Sequence, residues 1–181
     1  MARLGFCYDQ SRCVGCNACQ MACKDRYDLE PGLFYRRVET LEYERDGHVV
    51  IEHYSGACNH CQDAACIKNC PTGALYYRED RTVGHDGGKC IGCGTCTWAC
   101  PYGAPKLSHK KGIAQKCTSC YERRAEGKEP VCVEACITHC LEFVDLDQIA
   151  GTRELTAETP FLPDSSETRP SLLIWRKEHH E

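Results

Sequence analysis

Cysteine is the feature that most constrains this chain, because sixteen of its 18 cysteines fall into four groups of four. Groups one and three share the spacing C-x2-C-x2-C-x3-C, while groups two and four keep the outer C-x2-C and C-x3-C pairs with gaps of four and eleven residues. The groups are Cys13, Cys16, Cys19 and Cys23; Cys58, Cys61, Cys66 and Cys70; Cys90, Cys93, Cys96 and Cys100; and Cys117, Cys120, Cys132 and Cys136. Cys7 and Cys140 lie outside them.

The spacing of groups one and three is typical of proteins that bind 4Fe–4S clusters. Three thiolates on a tight loop wrap one cluster, and the fourth follows on a helical turn that points it toward a second cluster. Pro71 and Pro101 end that turn directly after Cys70 and Cys100. Disulfides would need an oxidising compartment. Structural zinc sites use two separated pairs of ligands, so they do not explain three cysteines at this spacing.

Sixteen thiolates predict four 4Fe–4S clusters, and the lengths of the connecting segments indicate how the groups combine. Only 19 residues join groups two and three, which suits one compact ferredoxin module, and groups one and four then form the other. This nested scheme predicts cluster A on Cys13, Cys16, Cys19 and Cys136; cluster B on Cys117, Cys120, Cys132 and Cys23; cluster C on Cys58, Cys61, Cys66 and Cys100; and cluster D on Cys90, Cys93, Cys96 and Cys70. The alternative combines group one with two and group three with four. We favour nesting because the segment between groups one and two is long and has its own structure.

The fold class predicted is α+β, with two ferredoxin-like 4Fe–4S modules built of short helices and β-hairpins. The division is residues 1–23 with 101–145 as one module, 24–57 as a β-hairpin insertion, 58–100 as the second module, and 146–181 as an irregular C-terminal tail.

Local patterns predict three smaller elements. A hairpin is expected around Arg45-Asp46-Gly47, since Asp-Gly is a favoured two-residue turn. Short strands are expected at 74–78 and 82–85. A short helix is predicted at 145–150, followed by a Pro/Ser/Thr-rich stretch extended over a partner or over the chain's own surface.

Nothing in the sequence predicts a direct membrane span, because the apolar run at 172–175 is far shorter than the roughly 20 residues required. A secretory signal is also not evident, so we expect a cytoplasmic chain by its own sequence, exported only with a signal-bearing partner. The mild net charge of −4 gives no reason to expect a nucleic-acid partner. Four lysines lie within two residues of a predicted ligand and are candidates for raising local potentials. They are Lys24, Lys68, Lys89 and Lys116.

The segments "SRCVGCNACQMACKD", "CNHCQDAACIKNCPTGA", "CIGCGTCTWACPYGAP" and "KCTSCYERRAEGKEPVCVEAC" resemble the four-cluster electron-transfer subunits of the dimethyl sulfoxide reductase, or molybdopterin oxidoreductase, family. The resemblance covers about residues 3–145. It implies the nested ligation, and four 4Fe–4S clusters, since Cys93 stands where a three-iron variant of the family has tryptophan. The partner it implies is a catalytic subunit holding a molybdenum or tungsten bis-pterin cofactor, in many complexes together with a membrane anchor subunit.

These observations predict a non-catalytic subunit that relays single electrons between a quinol, membrane subunit or soluble carrier and the catalytic subunit. One alternative is a similar subunit of a hydrogenase or carbon monoxide dehydrogenase, and another is a zinc-scaffolded interaction module. Groups two and four form an internal repeat, in which "CIKNCPTGALYY" from Cys66 aligns with "CVEACITHCLEF" from Cys132. This alignment places Cys140 at the position of Ala74, just before a strand. We therefore predict that Cys140 is a packing residue whose replacement by alanine keeps all four clusters, whereas Cys136→Ala loses or converts one.

Overall fold

Ten strands and six short helices make up the computed structural model, which describes residues 2–151, 155–159 and 161–176. The strands are β1 Leu4–Asp9, β2 Arg37–Arg45, β3 His48–Gly56, β4 Leu75–Tyr77, β5 Val83–His85, β6 Lys106–Leu107, β7 Ala114–Gln115, β8 Leu141–Asp145, β9 Leu155–Thr156 and β10 Leu172–Trp175. The helices are α1 Ala18–Arg26, α2 Ala65–Lys68, α3 Thr95–Ala99, α4 Tyr121–Ala125, α5 Val131–Glu134 and α6 Leu146–Ile149. Single 3₁₀ turns occur at Gln10–Arg12 and Ser165–Glu167. Few helices and small sheets agree with the predicted α+β class.

The largest sheet joins the two ends of the chain in the order β8-β1-β10-β9. Strand β1 lies antiparallel to β8 and parallel to β10, with Tyr8 opposite Ile174. Both of these side chains are fully buried, because the sheet is covered on both faces at this point. The prediction of an irregular tail was therefore wrong for 155–156 and 172–175. Its apolar run LLIW is short because it forms an inner strand of a sheet and needs only four residues.

The longest hairpin, β2–β3, agrees with its prediction. Asp46 and Gly47 at its turn have positive φ angles of 51° and 74°, which matches the twist of the flanking strands. The hairpin β4–β5 also agrees with the predicted strands to within one residue at each end. A third hairpin, β6–β7, was not predicted, since each of its strands has only two residues.

Helix α6 begins where expected because the Asp145 side chain accepts a hydrogen bond from the Asp147 N–H, and Gly151 follows its end with a φ of 87°. The longest helix, α1, has nine residues. No helix in the described part of the chain is long and apolar enough to cross a membrane.

Cysteines occupy the centre of both larger cores. The first core holds cysteines of groups one and four, together with Cys58, and is closed by Phe6, Tyr8 and Ile174. The second holds Cys66 and Cys96 between α2, α3 and the hairpin β4–β5. The division into two ferredoxin-like modules stays a prediction, and Cys58 of group two lies in the first core although its predicted module is the second.

Ile174 tests the role of the C-terminal strand, because its side chain is 0% exposed. We expect Ile174→Ala to reduce the free energy of unfolding by about 2–5 kcal/mol through the cavity it leaves. Urea unfolding followed by circular dichroism would measure the change in midpoint. The matched control is Val49→Ala on the exposed face of β3, which should stay within about 0.5 kcal/mol. An equal effect of the two variants would contradict this role for β10.

Candidate iron–sulfur centres

Three cavities in the structure are each lined by a set of four cysteines taken from two different groups, and Cys140 also lines the first cavity. The first is lined by Cys13, Cys16, Cys19 and Cys136; the second by Cys58, Cys61, Cys66 and Cys100; and the third by Cys70, Cys90, Cys93 and Cys96. These combinations are those that the nested scheme assigns to clusters A, C and D. They do not match the alternative scheme, which would combine group one with group two and group three with group four.

The remaining set, assigned to cluster B, is buried throughout. Its members are Cys23, Cys117, Cys120 and Cys132. Burial raises the pKa of Cys23, and the neighbouring thiolates of Cys117, Cys132 and Cys120 raise it further. The four thiols are therefore close enough to repel one another when ionised. A positively charged group must stand among them if they are to be thiolates together.

The short helices bring cysteines of two different sets close together. Helix α1 carries Cys19, of set A, and Cys23, of set B, one helical turn apart. Helix α5 carries Cys132, of set B, and contacts α1, while Cys136 of set A follows two residues after its end. This exchange of cysteines between two helices brings sets A and B side by side. Helices α2 and α3 contact each other in the same way between sets C and D.

The first C-x2-C loop of each group has a left-handed backbone at its third residue. The φ angles are 66° at Gly15, 45° at His60, 68° at Gly92 and 55° at Ser119. This turn lets both thiols of a pair face the same side, and glycine adopts it without strain. His60 and Ser119 adopt it at a cost of about 1–2 kcal/mol, so their buried side chains must return a benefit elsewhere.

The buried His60 side chain stabilises the loop through a hydrogen bond. The Val83 N–H donates to its Nδ1 at 3.1 Å, so the ring proton lies on Nε2. Burial, followed by the charge of Lys116, lowers the pKa of His60 well below its usual range and keeps the ring neutral. Its Nε2 has no hydrogen-bond partner in the described part of the protein. His60 therefore has a ring N–H available to donate a hydrogen bond in the interior.

Hydrogen bonds also reach the sulfur atoms themselves. The Tyr27 hydroxyl donates to Cys120 Sγ at 3.4 Å, and the Ser119 N–H donates to Cys117 Sγ at 3.3 Å. The Cys140 N–H donates to Cys136 Sγ at 3.4 Å. Such bonds favour the thiolate over the thiol and raise the reduction potential of a cluster bound there.

The four lysines singled out from the sequence are placed very differently. Lys24 donates to the carbonyl oxygens of Leu29 and Glu30, and Lys68 and Lys89 form exposed ion pairs with nearby aspartates. Only Lys116 is buried, at 3% exposure, where its Nζ donates to the carbonyl oxygens of Val83 and Cys117. Of the four, it is therefore the one whose charge acts in the interior.

Sequence reasoning missed Arg36, which is buried in the first core. Its Nε and Nη2 atoms have no hydrogen-bond partner among the described residues, as is also true of Asn59 Nδ2. Donors left unpaired in the interior are costly unless an acceptor is present. Anionic clusters held by the surrounding thiolates supply such acceptors, so the donor set fits this kind of cofactor. The signal for Arg36 was weak, because "FYRRVE" contains two adjacent arginines and only the structure separates the buried one from the exposed one.

Cys140 lies at the edge of the cavity of set A, as the repeat predicts. It lines that cavity where Ala74 lines the cavity of set D, and each precedes a strand. Its Sγ is 3.4 Å from Cys136 Sγ. Cys7 lies on β1 in a separate apolar cluster with Leu146 and Leu173.

Two further features of the described residues are separate from these sets. No three His, Cys, Asp or Glu side chains in the described ranges stand in an arrangement that could hold a single metal ion. A cavity of about 240 Å³ lies between the hairpin β2–β3 and residues 101–106 and 161–163. No cysteine lines it, so we assign it no part in cluster binding.

Comparison with known proteins agrees with this geometry. Residues 49–146 match the family described as "4Fe-4S dicluster domain", and residues 10–28 match "4Fe-4S binding domain". The chain is 44% identical to the B subunit of anaerobic dimethyl sulfoxide reductase of Escherichia coli, over 94% of this chain and 87% of that protein. It is 40% identical to a formate dehydrogenase iron-sulfur subunit of Wolinella succinogenes, over 82% and 84% of the two chains. With a thiosulfate reductase electron transfer subunit of Salmonella typhi the identity is 34%, over 96% and 92%. None of these descriptions supports the zinc-scaffolded alternative.

Gly92 provides a test of the cysteine loops, with Gly73 as its matched control. The two have similar φ angles of 68° and 66°, but a Cβ on Gly92 would lie 2.2 Å from the Gly112 carbonyl oxygen, whereas at Gly73 it would meet nothing within 4 Å. Both alanine variants carry the left-handed strain of about 1–2 kcal/mol. We expect Gly92→Ala to melt several degrees below Gly73→Ala, because its loop must also move. Equal melting temperatures would contradict the close approach of these two loops.

Proposed function

Because the chain belongs to the family of iron–sulfur subunits that includes the B subunit of dimethyl sulfoxide reductase, we propose that it carries four 4Fe–4S clusters and relays single electrons to or from a molybdenum or tungsten bis-pterin catalytic subunit. The observation that carries the proposal is the convergence of cysteines from two groups on each cavity. When bound, such clusters supply one-electron chemistry at potentials that span roughly −700 to +450 mV.

The proposed ligands are the four sets already described. Set A and set B share helix α1, and set C and set D are joined by α2 and α3. Cys58 of set C lies in the same core as Cys117 of set B, which connects the two halves. The four sets therefore follow one another in the order A–B–C–D.

The exposure of the thiols supports sets A and D as the two ends of this order, where electrons enter and leave the chain. Set B is buried entirely, whereas Cys16 in set A and Cys93 in set D are exposed. A relay needs both properties, since the protein must insulate the middle of the path and open each end to another redox group. The chain's role is therefore to fix these four positions and to exclude water between them.

Exposed apolar side chains surround the two open ends. Trp98, with 88% of its surface exposed, and Ile91 lie beside set D, and Val14, Met21 and Ile137 lie beside set A. Large exposed hydrophobic groups of this kind mark protein–protein contacts. We infer that one end meets the catalytic subunit and the other meets the electron donor or acceptor, which in complexes with a membrane anchor is that anchor subunit.

Iron analysis of cysteine variants tests the ligand assignment. We expect the wild-type chain and Cys140→Ala each to hold about 16 iron atoms. Cys136→Ala should lose cluster A or convert it to a three-iron form, because a ligand is missing. The double variant with Cys140→Ala rules out substitution by the neighbouring thiol, which lies 3.4 Å away. Loss of iron in Cys140→Ala alone, or about 16 iron atoms in the double variant, would contradict the assignment.

Copurification of the complex tests the docking surface beside set D. We expect Trp98→Arg to abolish copurification of one partner subunit while the chain keeps its full iron content, since a charge is introduced into an apolar contact. Val49→Arg on the hairpin β2–β3 is the control, because Val49 is also highly exposed but lies on a strand without cysteines. Unchanged recovery of every partner with Trp98→Arg would show that this surface is not a contact.

A further inference from the structure

Arg36 is a cation enclosed by the protein. Only 2% of its surface is exposed, and its Nη1 donates to the carbonyl oxygen of Ser55 at 2.8 Å and to Ser55 Oγ at 3.1 Å. The guanidinium carbon lies 4.4 Å from the centre of the Phe6 ring. No carboxylate in the described part of the chain forms an ion pair with it. Two hydrogen bonds and one ring contact satisfy only part of this group.

A buried charge without a partner costs several kcal/mol, so the fold must contain a compensating negative charge. The groups able to provide it are sulfur atoms. Burial tends to lower the pKa of Arg36, but the thiolates of Cys132, Cys19, Cys117 and Cys23 together raise it above its ordinary value. Cys19 belongs to set A, whereas the other three belong to set B. Phe6, on which the guanidinium packs, belongs to the core that holds all four of these cysteines, so Arg36 lies beside the ligands of two centres.

Ser55 connects Arg36 to one of these sets by a direct contact. Its buried hydroxyl lies 3.4 Å from Cys19 Sγ and accepts the hydrogen bond from Arg36 Nη1. An oxygen that accepts from a guanidinium keeps its own proton available, and the Cys19 sulfur lies within hydrogen-bond distance to accept it. The hydroxyl is polarised by the cation, which strengthens the bond it gives.

We propose that Arg36 sets the reduction potentials of clusters A and B, acting on both through its charge and additionally on cluster A through the Ser55 hydroxyl. The inference rests on the proposed four-cluster function. An oxidised 4Fe–4S cluster with four thiolates carries about −2, and each electron adds another negative charge. A fixed cation nearby stabilises the reduced form more than the oxidised form and so raises the potential. Arg36 thus acts through its fixed positive charge and through the Ser55 hydroxyl, and it does not itself exchange electrons.

The experiment is a redox titration monitored by electron paramagnetic resonance on the purified chain and its variants, preceded by an iron count. We expect Arg36→Met to keep about 16 iron atoms and to lower two of the four potentials. At a fixed ambient potential, the ratio of reduced to oxidised cluster should fall about tenfold or more for both, and each tenfold corresponds to about 59 mV for one electron. Arg36→Lys, which keeps the charge, should restore both ratios to within about threefold.

Two further variants separate the effect of the buried Arg36 charge from the effects of the Ser55 hydroxyl and of an exposed charge. Ser55→Ala removes the hydroxyl but keeps the cation, so it should lower one potential only, that of cluster A. Arg12→Met removes an exposed positive charge one residue from Cys13 and should leave all four ratios within about threefold, since solvent screens it.

The outcomes distinguish a failure of the proposed function from a failure of the proposed role of Arg36. A wild-type chain that holds no iron would overturn the proposed function itself. Full iron content with unchanged potentials in Arg36→Met, or the same shift in Arg12→Met, would overturn the role of Arg36 alone. If Arg36→Met does not retain its clusters, Ser55→Ala decides the matter, because four unchanged potentials in that variant would refute the connection to Cys19.

Discussion

Thiols from distant parts of the chain meet in the interior, and the other elements are arranged around those meeting points. Groups one and four are separated by more than ninety residues in the sequence, yet α1 and α5 bring their cysteines together in one core. Short helices suffice because α2, α3 and α5 each carry only the first cysteine of a C-x3-C pair, and the second cysteine follows within two residues of the helix end. The large sheet closes this core from one side, with Phe6, Tyr8 and Ile174 against the sulfur atoms.

Charge balance is the second principle of the architecture. Four clusters would add about −8 to a formal charge of −4, much of it in the interior. The buried groups near the cysteines are correspondingly cations or neutral donors: Arg36, Lys116 and His60. Arg36 and His60 have nitrogen atoms without a hydrogen-bond partner among the described residues, which would be a defect in an ordinary apolar core. Beside thiolate-bound clusters, these N–H groups can donate hydrogen bonds to the sulfur atoms, and the positive charge of Arg36 offsets the negative charge of the clusters.

Much of this arrangement follows from local sequence patterns, and the parts that do not are long-range. The spacing of cysteines predicts the sets that line the cavities, and Asp46-Gly47 predicts the longest hairpin. Strand β10 escaped prediction because its run LLIW lacks alternation and its partner β1 lies at the other end of the chain. Arg36 escaped because nothing in "FYRRVE" distinguishes a buried arginine from an exposed one. Burial of a charge is decided by distant residues such as Phe6 and Ser55.

The pairing of β1 with β10 bears on how the protein matures in the cell. Synthesis at about 5–20 residues per second makes β10 available roughly ten to thirty seconds after β1. Groups two and three are contiguous at residues 58–100, so their sites can be completed while the ribosome is still extending the chain. The thiols of group one must wait for group four and then for the last strand. Under the nested ligation, the inner pair of centres can be loaded before the outer pair, and the sheet can close only after the last strand has been synthesised.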